Sequence, residues 1–404
     1  MNKILTVILV LFQTLCSAQD QPLLRAFAAD SLRADFDLMV GALKEAHAGL
    51  YWYNTSSGYD SIAQAEREKL VDGMDAYAFF RAASKMVTAT REGHCRVGSS
   101  RAVGEYFNTK AQLPPLLVKM LHGNVYLLND VHNQNTSGKI LRKINDQPIA
   151  EIIDQIFLYS PKFADGYITT GKIRYSVDYA ALAYNYTDFF ENTAIYALEL
   201  LDTATNIAAT IHVPSVTASQ FRKMERQLAF HNFQRPIELK INETKDVAQL
   251  SLHSFKHTNF DKNGMEDRAF AIFKAQIDSV FSMIKTSNVK NLIIDLRNNG
   301  GGTEGYEDYV FSYLTDKPYK KYRYVQANAT TFSFLDHTQH NTAAKKREFE
   351  KDMANEFDAD GKGNYYRRAD FTAVDAAKES PFKGNLYVWF RVGPILEVLN
   401  LQVC

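Results

Sequence analysis

Apolar residues recur at helical spacing in the first part of the chain. Two sets lie three or four positions apart: Leu32, Phe36, Met39, Leu43 and His47, and then Tyr77, Phe80, Ala83 and Met86. Because residues three and four apart share one face of a helix, this spacing predicts amphipathic helices between residues 29 and 92. Asp75 precedes the second set, so we expect its side chain to cap that helix.

Apolar runs with strand character follow, separated by polar turns. The region from 112 to 160 predicts short strands, a turn and a helix, in the order Leu117–Leu121, Asn124–Leu128, Lys139–Ile144, Asn145–Pro148 and Ile149–Phe157. A hairpin is predicted next, with strands Thr193–Leu201 and Asn206–Val213 on either side of a polar turn.

The last part of the chain predicts a strand, a long helix and a second strand. Val247–Phe255 alternates between apolar and polar residues, as a half-buried strand does. The helix carries these apolar residues on one side: Phe270, Phe273, Ile277, Val280, Phe281 and Ile284. Asn291–Asp295 is a short apolar run typical of a buried strand, so the pattern predicts a βαβ unit with a right-handed crossover.

Length and charge narrow the class of protein. The 404 residues suggest two or three domains, and 46% hydrophobic and 12% aromatic residues are enough for substantial cores. Lys+Arg and Asp+Glu both total 46, so the net charge is zero. This balance argues against nucleic acid as a partner, because phosphate binding needs a basic surplus.

The amino terminus predicts a secretory signal peptide over residues 1–18. Lys3 is followed by the mostly apolar run Ile4–Phe12 and by the small-residue end Cys16-Ser-Ala18. The apolar run is too short to span a membrane, and no other stretch approaches that length. We therefore expect an exported protein without a membrane span, periplasmic or extracellular if the source is bacterial.

Cysteine and histidine spacing predicts no metal and no cofactor. Cys95 and Cys404 remain after removal of the signal peptide, which is not a disulfide framework. C-x-x-C and H-E-x-x-H spacings are absent from the sequence. His337 and His340 share helical spacing, but without a nearby carboxylate trio we interpret them as a surface pair.

Candidate chemistry begins with the string Asn291-Leu-Ile-Ile-Asp-Leu-Arg-Asn-Asn-Gly-Gly-Gly-Thr303. Consecutive glycines at Gly300–Gly302 leave the backbone bare, so a ligand or another main chain can approach its amides. Exposed amides at the carboxyl end of a strand suit an anion or oxyanion site. The alternative is a glycine-rich loop that only turns the chain.

The same loop matches the nucleotide-binding pattern G-x-G-x-x-G through Gly300, Gly302 and Gly305. The strand ends well before the first of these glycines, and no acidic residue closes a second strand about 20 residues later. Dinucleotide binding is therefore disfavoured.

A second candidate is His94 in the string Arg91-Glu-Gly-His-Cys-Arg96. It follows a glycine at the end of a helical segment, where a turn can aim the imidazole. Histidine is the side chain best suited to move protons near neutral pH. The alternative is a polar loop histidine without a chemical role.

Together these strings resemble the tail-specific, or C-terminal processing, serine peptidases. The Asp295-Leu-Arg-Asn-Asn-Gly-Gly-Gly302 string and the strand and helix before it are similar to the peptidase core of that family. Glu92-Gly-His-Cys95 resembles the histidine motif of the tricorn-like branch. Lys139–Ile149 is similar to the PDZ-like peptide-binding module that many members carry.

The resemblance implies a mixed α/β fold with five successive segments. These are a signal peptide (1–18), an N-terminal helical region with the His motif (19–110), a PDZ-like β-rich module (111–190), a ClpP/crotonase-like βαβ peptidase core that is incomplete at its C-terminus (191–388), and an aberrant tail (389–404). The partner it implies is a protein or peptide substrate.

The resemblance also implies an endopeptidase mechanism with a serine nucleophile. His94 would take the serine proton, and main-chain amides near Gly301 and Gly302 would hold the oxyanion. Asp295 and Arg297 would fix the loop.

The chain departs from the family where the nucleophile turn, Gly-Gly-Ser followed by an aromatic residue and Ser, is expected. That turn should follow the strand Gly384–Val388, but no serine or threonine occurs after Ser380. Read from the third base of the Trp389 codon, permitted codons can encode Val-Ser-Gly-Gly-Ser-Tyr-Ser. We therefore expect a frameshift after Val388 and an inactive product.

The alternative function is a non-catalytic peptide-binding protein. Its PDZ-like module would hold chain ends by main-chain pairing. Cleavage that depends on His94 would support the peptidase. Peptide binding that does not depend on His94 would support the alternative.

Overall fold

A computed structural model of the protein describes residues 24–160, 166–227, 236–255, 266–297, 299–368 and 375–390. The predicted signal peptide, Cys16, Cys404 and the tail beyond Phe390 lie outside the described residues. Among the helices in those ranges, none combines the length and the apolar character that crossing a bilayer requires.

The helices of the described residues are α1 (Ala29–Ala46), α2 (Ser56–Glu68), α3 (Ala76–Ala89), α4 (Arg101–Thr109), α5 (Ile149–Tyr159), α6 (Thr169–Ser176), α7 (Ala181–Phe189), α8 (Ala218–Gln227), α9 (Glu266–Thr286), α10 (Tyr306–Phe311) and α11 (Ala343–Glu356). Short 3-10 helices cover Val131–Asn133 and Ser333–His337.

The strands are β1 (Gln112–Leu113), β2 (Val118–Leu121), β3 (Asn124–Leu127), β4 (Ile140–Ile144), β5 (Gln147–Pro148), β6 (Ile195–Asp202), β7 (Ile207–Pro214), β8 (Val216–Thr217), β9 (Ile237–Ile241), β10 (Val247–Leu252), β11 (Asn291–Asp295), β12 (Gln326–Ala327), β13 (Phe357–Ala359), β14 (Tyr365–Arg367) and β15 (Asn385–Trp389).

The amino-terminal helices form one core of their own. Their buried side chains pack together: Leu32, Phe36, Val40, Leu50, Tyr59, Leu70, Ala82 and Met86. The predicted cap is confirmed, because Asp75 Oδ1 accepts hydrogen bonds of 2.9 Å from the amides of Tyr77 and Ala78 at the start of α3. These bonds satisfy two of the helix amides that lack an intrahelical partner.

The second region is an antiparallel sheet with the strand order β2-β3-β4-β6-β7, with β5 paired to β4. Asn145 and Asp146 adopt positive φ (49° and 65°) in the two-residue turn between β4 and β5, as such a hairpin requires. The predicted hairpin is confirmed as β6 and β7. Because β6 pairs with β4, this sheet continues past residue 190, where the sequence predicted a domain boundary.

The third region is a four-stranded sheet with the order β15-β11-β10-β9. Strands β10, β11 and β15 are parallel, and β9 is antiparallel to β10. Helix α9 connects β10 to β11, which confirms the predicted βαβ unit. The apolar side of α9 packs on the sheet, where Phe273 and Ile277 meet Leu250 and Ile294 in one buried cluster.

The amino-terminal helices contact the carboxyl-terminal part of the chain directly. Glu45, near the end of α1, accepts hydrogen bonds from Ser333: 2.8 Å from the amide to Oε1 and 2.7 Å from Oγ to Oε2. A three-stranded sheet with the order β12-β14-β13 lies in the same carboxyl-terminal part.

Candidate active site

The carboxyl ends of the parallel strands carry the first half of the candidate site. Asp295 ends β11 with its side chain 9% exposed. It accepts bonds from Arg297 Nε (2.9 Å), Arg297 Nη2 (2.7 Å) and Gln249 Nε2 (3.0 Å). Burial alone raises the pKa of Asp295, but the hydrogen bonds and charge of Arg297 outweigh it, so the pKa lies below its ordinary value. The pair therefore holds the start of the loop, as its sequence position suggested.

Asn299 closes the glycine loop from inside. Its side chain is buried, with Nδ2 donating to Leu252 O (2.9 Å) and Oδ1 accepting from the Gly301 amide (2.7 Å). Gly301 itself has a φ of 87°, a conformation that glycine adopts without strain. In this state the Gly301 amide is hydrogen-bonded, so its predicted role as an oxyanion donor requires that bond to open.

Gly302 is held against the end of β10. Phe255 donates from its amide to Gly301 O (3.1 Å) and accepts from the Thr303 amide (3.0 Å), so the two backbones run side by side. A Cβ at position 302 would lie 2.3 Å from Phe255 O. Only glycine permits this approach, which fixes the loop at the carboxyl ends of the parallel strands.

A cluster of charges around a buried lysine–glutamate pair follows the loop and includes residues of α10. The Lys321 ammonium is paired with Glu307, and both side chains are almost fully buried. The ammonium also lies 3.4 Å from Glu304 and 3.6 Å from Asp308. Burial raises the pKa of Asp308 to about 6, although Lys321 opposes that effect.

His94 lies in the turn after α3, with its side chain 45% exposed. Glu92 Oε1 contacts both the His94 amide (2.9 Å) and Nδ1 (3.1 Å). A carboxylate at Nδ1 favours the tautomer with the proton on that nitrogen, which leaves Nε2 with a free electron pair. The geometry is that of an oriented general base.

Hydrogen bonds hold the glycine loop and the His94 turn separately. That the His94 ring faces the amides of the glycine loop stays a prediction. Among the described residues, the hydrogen bonds of the His94 amide and Nδ1 both end on Glu92, two residues earlier in the same turn. Sequence reasoning missed Glu92 as the orienting carboxylate and Asn299 as the residue that closes the loop. The first had a signal in its spacing from His94. The second had none, because its partners Leu252 and Gly301 are set by the fold.

Two cavities accompany these features. One of about 280 Å³ includes Arg91 and Lys85 among its lining residues, close in sequence to the His94 turn. The other, of about 910 Å³, is lined by Lys290, Gly384 and Asn385 at the amino ends of β11 and β15, opposite the glycine loop. Neither cavity contains Gly301 or Gly302 in its lining.

Metal-ligating side chains also gather beside the His94 turn. His47, Glu92 and Cys95 place one ligand atom each within 4.8 Å of one another. The sequence predicted no metal, because these residues come from two segments far apart in the chain.

Comparison with known proteins identifies the family of residues 246–379. Residues 246–379, which include β10, α9, β11 and the glycine loop, match the model of peptidase family S41. This region is therefore a peptidase family S41 region, and the resemblance of its strand, helix and glycine loop to that family is confirmed. No curated protein matches the chain.

Solved structures of two proteins are similar to the chain. A CPAF mutant is 14% identical over 72% of this chain and 60% of its own, with a TM-score of 0.48. Mature CPAF is 12% identical over 80% and 66%, with a TM-score of 0.47. The photosystem II D1 C-terminal processing protease is 12% identical over 92% and 78%, with a TM-score of 0.37. The chain thus spans less than two thirds of the length of the two CPAF chains.

Proposed function

We propose that this chain carries the base and oxyanion site of a serine-type endopeptidase of the tail-specific kind. His94 takes the proton of a serine nucleophile, and main-chain amides at Gly301 and Gly302 stabilise the tetrahedral oxyanion. The observation that carries the proposal is the bridge between Phe255 and Gly302, which fixes a glycine main chain at the carboxyl ends of parallel strands. Ligands of open α/β sheets bind at that edge.

The environment of His94 supports its role as the base. Glu92 accepts from Nδ1 and stabilises the imidazolium that forms when Nε2 takes a proton. The His94 ring is partly exposed in the turn, so a substrate can reach it. A buried histidine would not be accessible in this way.

The Gly301 amide can act as an oxyanion donor only after a local change in the loop. The Gly301 amide donates to Asn299 and reaches an oxyanion only when the Asn299 side chain rotates. Substrate binding would have to supply the energy for that change, which is the loss of one hydrogen bond of about 1 kcal/mol. One oxyanion donor contributes about 10²–10³-fold to kcat, which corresponds to about 2.7–4 kcal/mol of transition-state stabilisation. This gain is larger than the cost of the lost hydrogen bond.

We also propose that the 404-residue chain has no peptidase activity. None of its residues after Ser380 is serine or threonine, and without a nucleophile no acyl-enzyme forms. The proposed nucleophile turn follows Val388 in the shifted reading frame, at the carboxyl end of β15. That end is parallel to and beside the end of β11, which precedes the glycine loop.

The experiment begins with the coding DNA past codon 388. The proposal expects a Gly-Gly-Ser turn in the shifted frame, and absence of such a turn refutes it. The repaired protein should cleave an unstructured polypeptide, while the 404-residue chain should neither cleave it nor react with a serine-directed phosphonate. In the repaired protein, His94→Ala should lower kcat by roughly 10³-fold or more. The exposed His337→Ala is the control and should leave kcat unchanged.

The second candidate is peptide binding without cleavage. Strand β7 ends the antiparallel sheet in the described part of the chain, and most of its residues are exposed. Such an edge can accept an extended peptide as an added strand. Binding of carboxyl-terminal peptides by the 404-residue chain that survives His94→Ala would favour this candidate.

We propose that the protein is exported, with cleavage after Ala18. The support is the charge and apolar pattern of residues 1–18. Mass spectrometry of the secreted product should give a chain that begins at Gln19, and an intact Met1 in the cytoplasm would contradict export.

A further inference from the structure

A cluster of three metal-ligating side chains lies where α1 ends and the His94 turn begins. His47 directly follows α1, and Glu92 and Cys95 belong to the turn after α3. The three ligand atoms lie within 4.8 Å of one another. We propose that His47, Glu92 and Cys95 bind a divalent transition metal, with Zn²⁺ as the preferred ion.

The donor set selects the class of ion. One imidazole, one carboxylate and one thiolate match the N, O and S ligands that Zn²⁺ accepts, whereas Mg²⁺ and Ca²⁺ require oxygen ligands. Three protein ligands leave a fourth position for water or a substrate group, as in open zinc sites. All three side chains are half-buried, so the ion can enter from solvent.

The spacing requires a small contraction. Tetrahedral bonds of about 2.0–2.3 Å place zinc ligands about 3.3–3.8 Å apart. The present separations of up to 4.8 Å must therefore shorten by about 1 Å, which side-chain rotation can supply. The backbone already holds the pair Glu92 and Cys95 together, since the Cys95 amide donates to Glu92 O (3.2 Å).

A further observation beside the ligand geometry favours an ion over a purely structural cluster. His47 Nδ1 is buried and has no hydrogen-bond partner among the described residues. A buried nitrogen of this kind calls for a missing partner.

The ion would lie next to the proposed base. Glu92 is the carboxylate that contacts His94 Nδ1, so an ion on Glu92 withdraws charge from the group that orients that ring. This consequence rests on the proposed function, while the binding of the ion does not.

The test uses the full chain after treatment with a chelator and measures Zn²⁺ binding by titration calorimetry. One equivalent should bind, and His47→Gln and Cys95→Ser should each weaken the affinity by more than about tenfold. Co²⁺ should give a thiolate-to-metal charge-transfer absorption that Cys95→Ser removes. Cys404→Ser and His340→Ala are matched controls and should change neither readout.

Three results would overturn the proposal: no Zn²⁺ binding by the full chain, an affinity in both ligand variants equal to that of the unmodified chain, or a Co²⁺–thiolate band that persists in Cys95→Ser. Circular dichroism identifies variants that fold. Cys95→Ser is nearly isosteric and decides the question if His47→Gln does not fold. Because neither readout requires cleavage, a negative result here leaves the proposed peptidase function standing, and failure of that function leaves this site standing.

Discussion

The Gly302→Ala substitution tests whether the glycine loop is shaped by its contact with β10. An added methyl group would lie 2.3 Å from Phe255 O and 2.4 Å from Phe255 C. Both are backbone atoms, so they cannot move aside as the end of a flexible side chain could. The two hydrogen bonds between Phe255 and the loop, of 3.1 Å and 3.0 Å, would stretch or break.

The expected loss of stability follows from these contacts. Overpacking of a tight contact costs about 1–3 kcal/mol. Each backbone hydrogen bond that is lost adds about 1 kcal/mol. Restricting the unfolded chain by replacing glycine returns about 0.4–1 kcal/mol. We therefore expect the free energy of unfolding to fall by about 2–4 kcal/mol.

The loop provides its own control. Gly300→Ala meets no atom within 4 Å and has no positive φ that would strain alanine. It should leave the free energy of unfolding unchanged or raise it by about 0.4–1 kcal/mol. Urea unfolding of the two variants measures both values. Equal stability of Gly302→Ala and Gly300→Ala would refute the contact with Phe255 as the constraint on the loop.

Further predictions concern Asp308, the half-buried carboxylate of α10 near Lys321, and the cap of α3. The pKa of Asp308 rises from 3.8 to about 6, so the folded protein binds that proton more tightly and loses stability as pH rises through this interval. A change of one unit in pKa corresponds to about 1.4 kcal/mol, so Asp308→Asn should raise the free energy of unfolding by up to about 3 kcal/mol at pH 7. At pH 3.5, where Asp308 is mostly protonated in both states, the gain should be small. An equal gain at both pH values would contradict this prediction. Asp75→Ala removes the cap of α3 and should lower the free energy of unfolding by about 1 kcal/mol, measured by urea unfolding with the exposed Asp35→Ala as control.

Local patterns predicted much of the secondary structure. The apolar run at 291–295 became β11 with the same bounds, and the helix predicted from Asp75 begins one residue later. Both depend on short-range rules, namely a buried apolar run and a side chain that accepts from nearby amides. The hairpin of β6 and β7 followed from a polar turn between two apolar runs for the same reason.

Long-range contacts explain what the sequence could not predict. The boundary predicted at 190 separates β4 from β6, although these two strands pair. Pairing between strands about 50 residues apart leaves no local signal in the sequence. The bond between Asn299 and Leu252 joins two strand ends across α9. The gathering of His47 with Glu92 and Cys95 depends on how α1 packs on α3. Tertiary packing determines such contacts. The residues involved have no periodic spacing in the sequence from which the contacts could be predicted.

Main-chain contacts at the strand ends predict that the start of the loop depends little on the exposed side chain of Trp389. The Leu296 amide donates to Trp389 O (2.7 Å), a main-chain bond that any residue at position 389 can accept. The Trp389 ring lies 4.9 Å from the Arg297 guanidinium and is 41% exposed, where a cation–π contact contributes about 0.5–1 kcal/mol. Trp389→Ala should therefore lower the free energy of unfolding by no more than about 1 kcal/mol. A loss above about 2 kcal/mol in urea unfolding would mean that the indole supports the loop, and that its geometry depends on more than the ladder between β11 and β15.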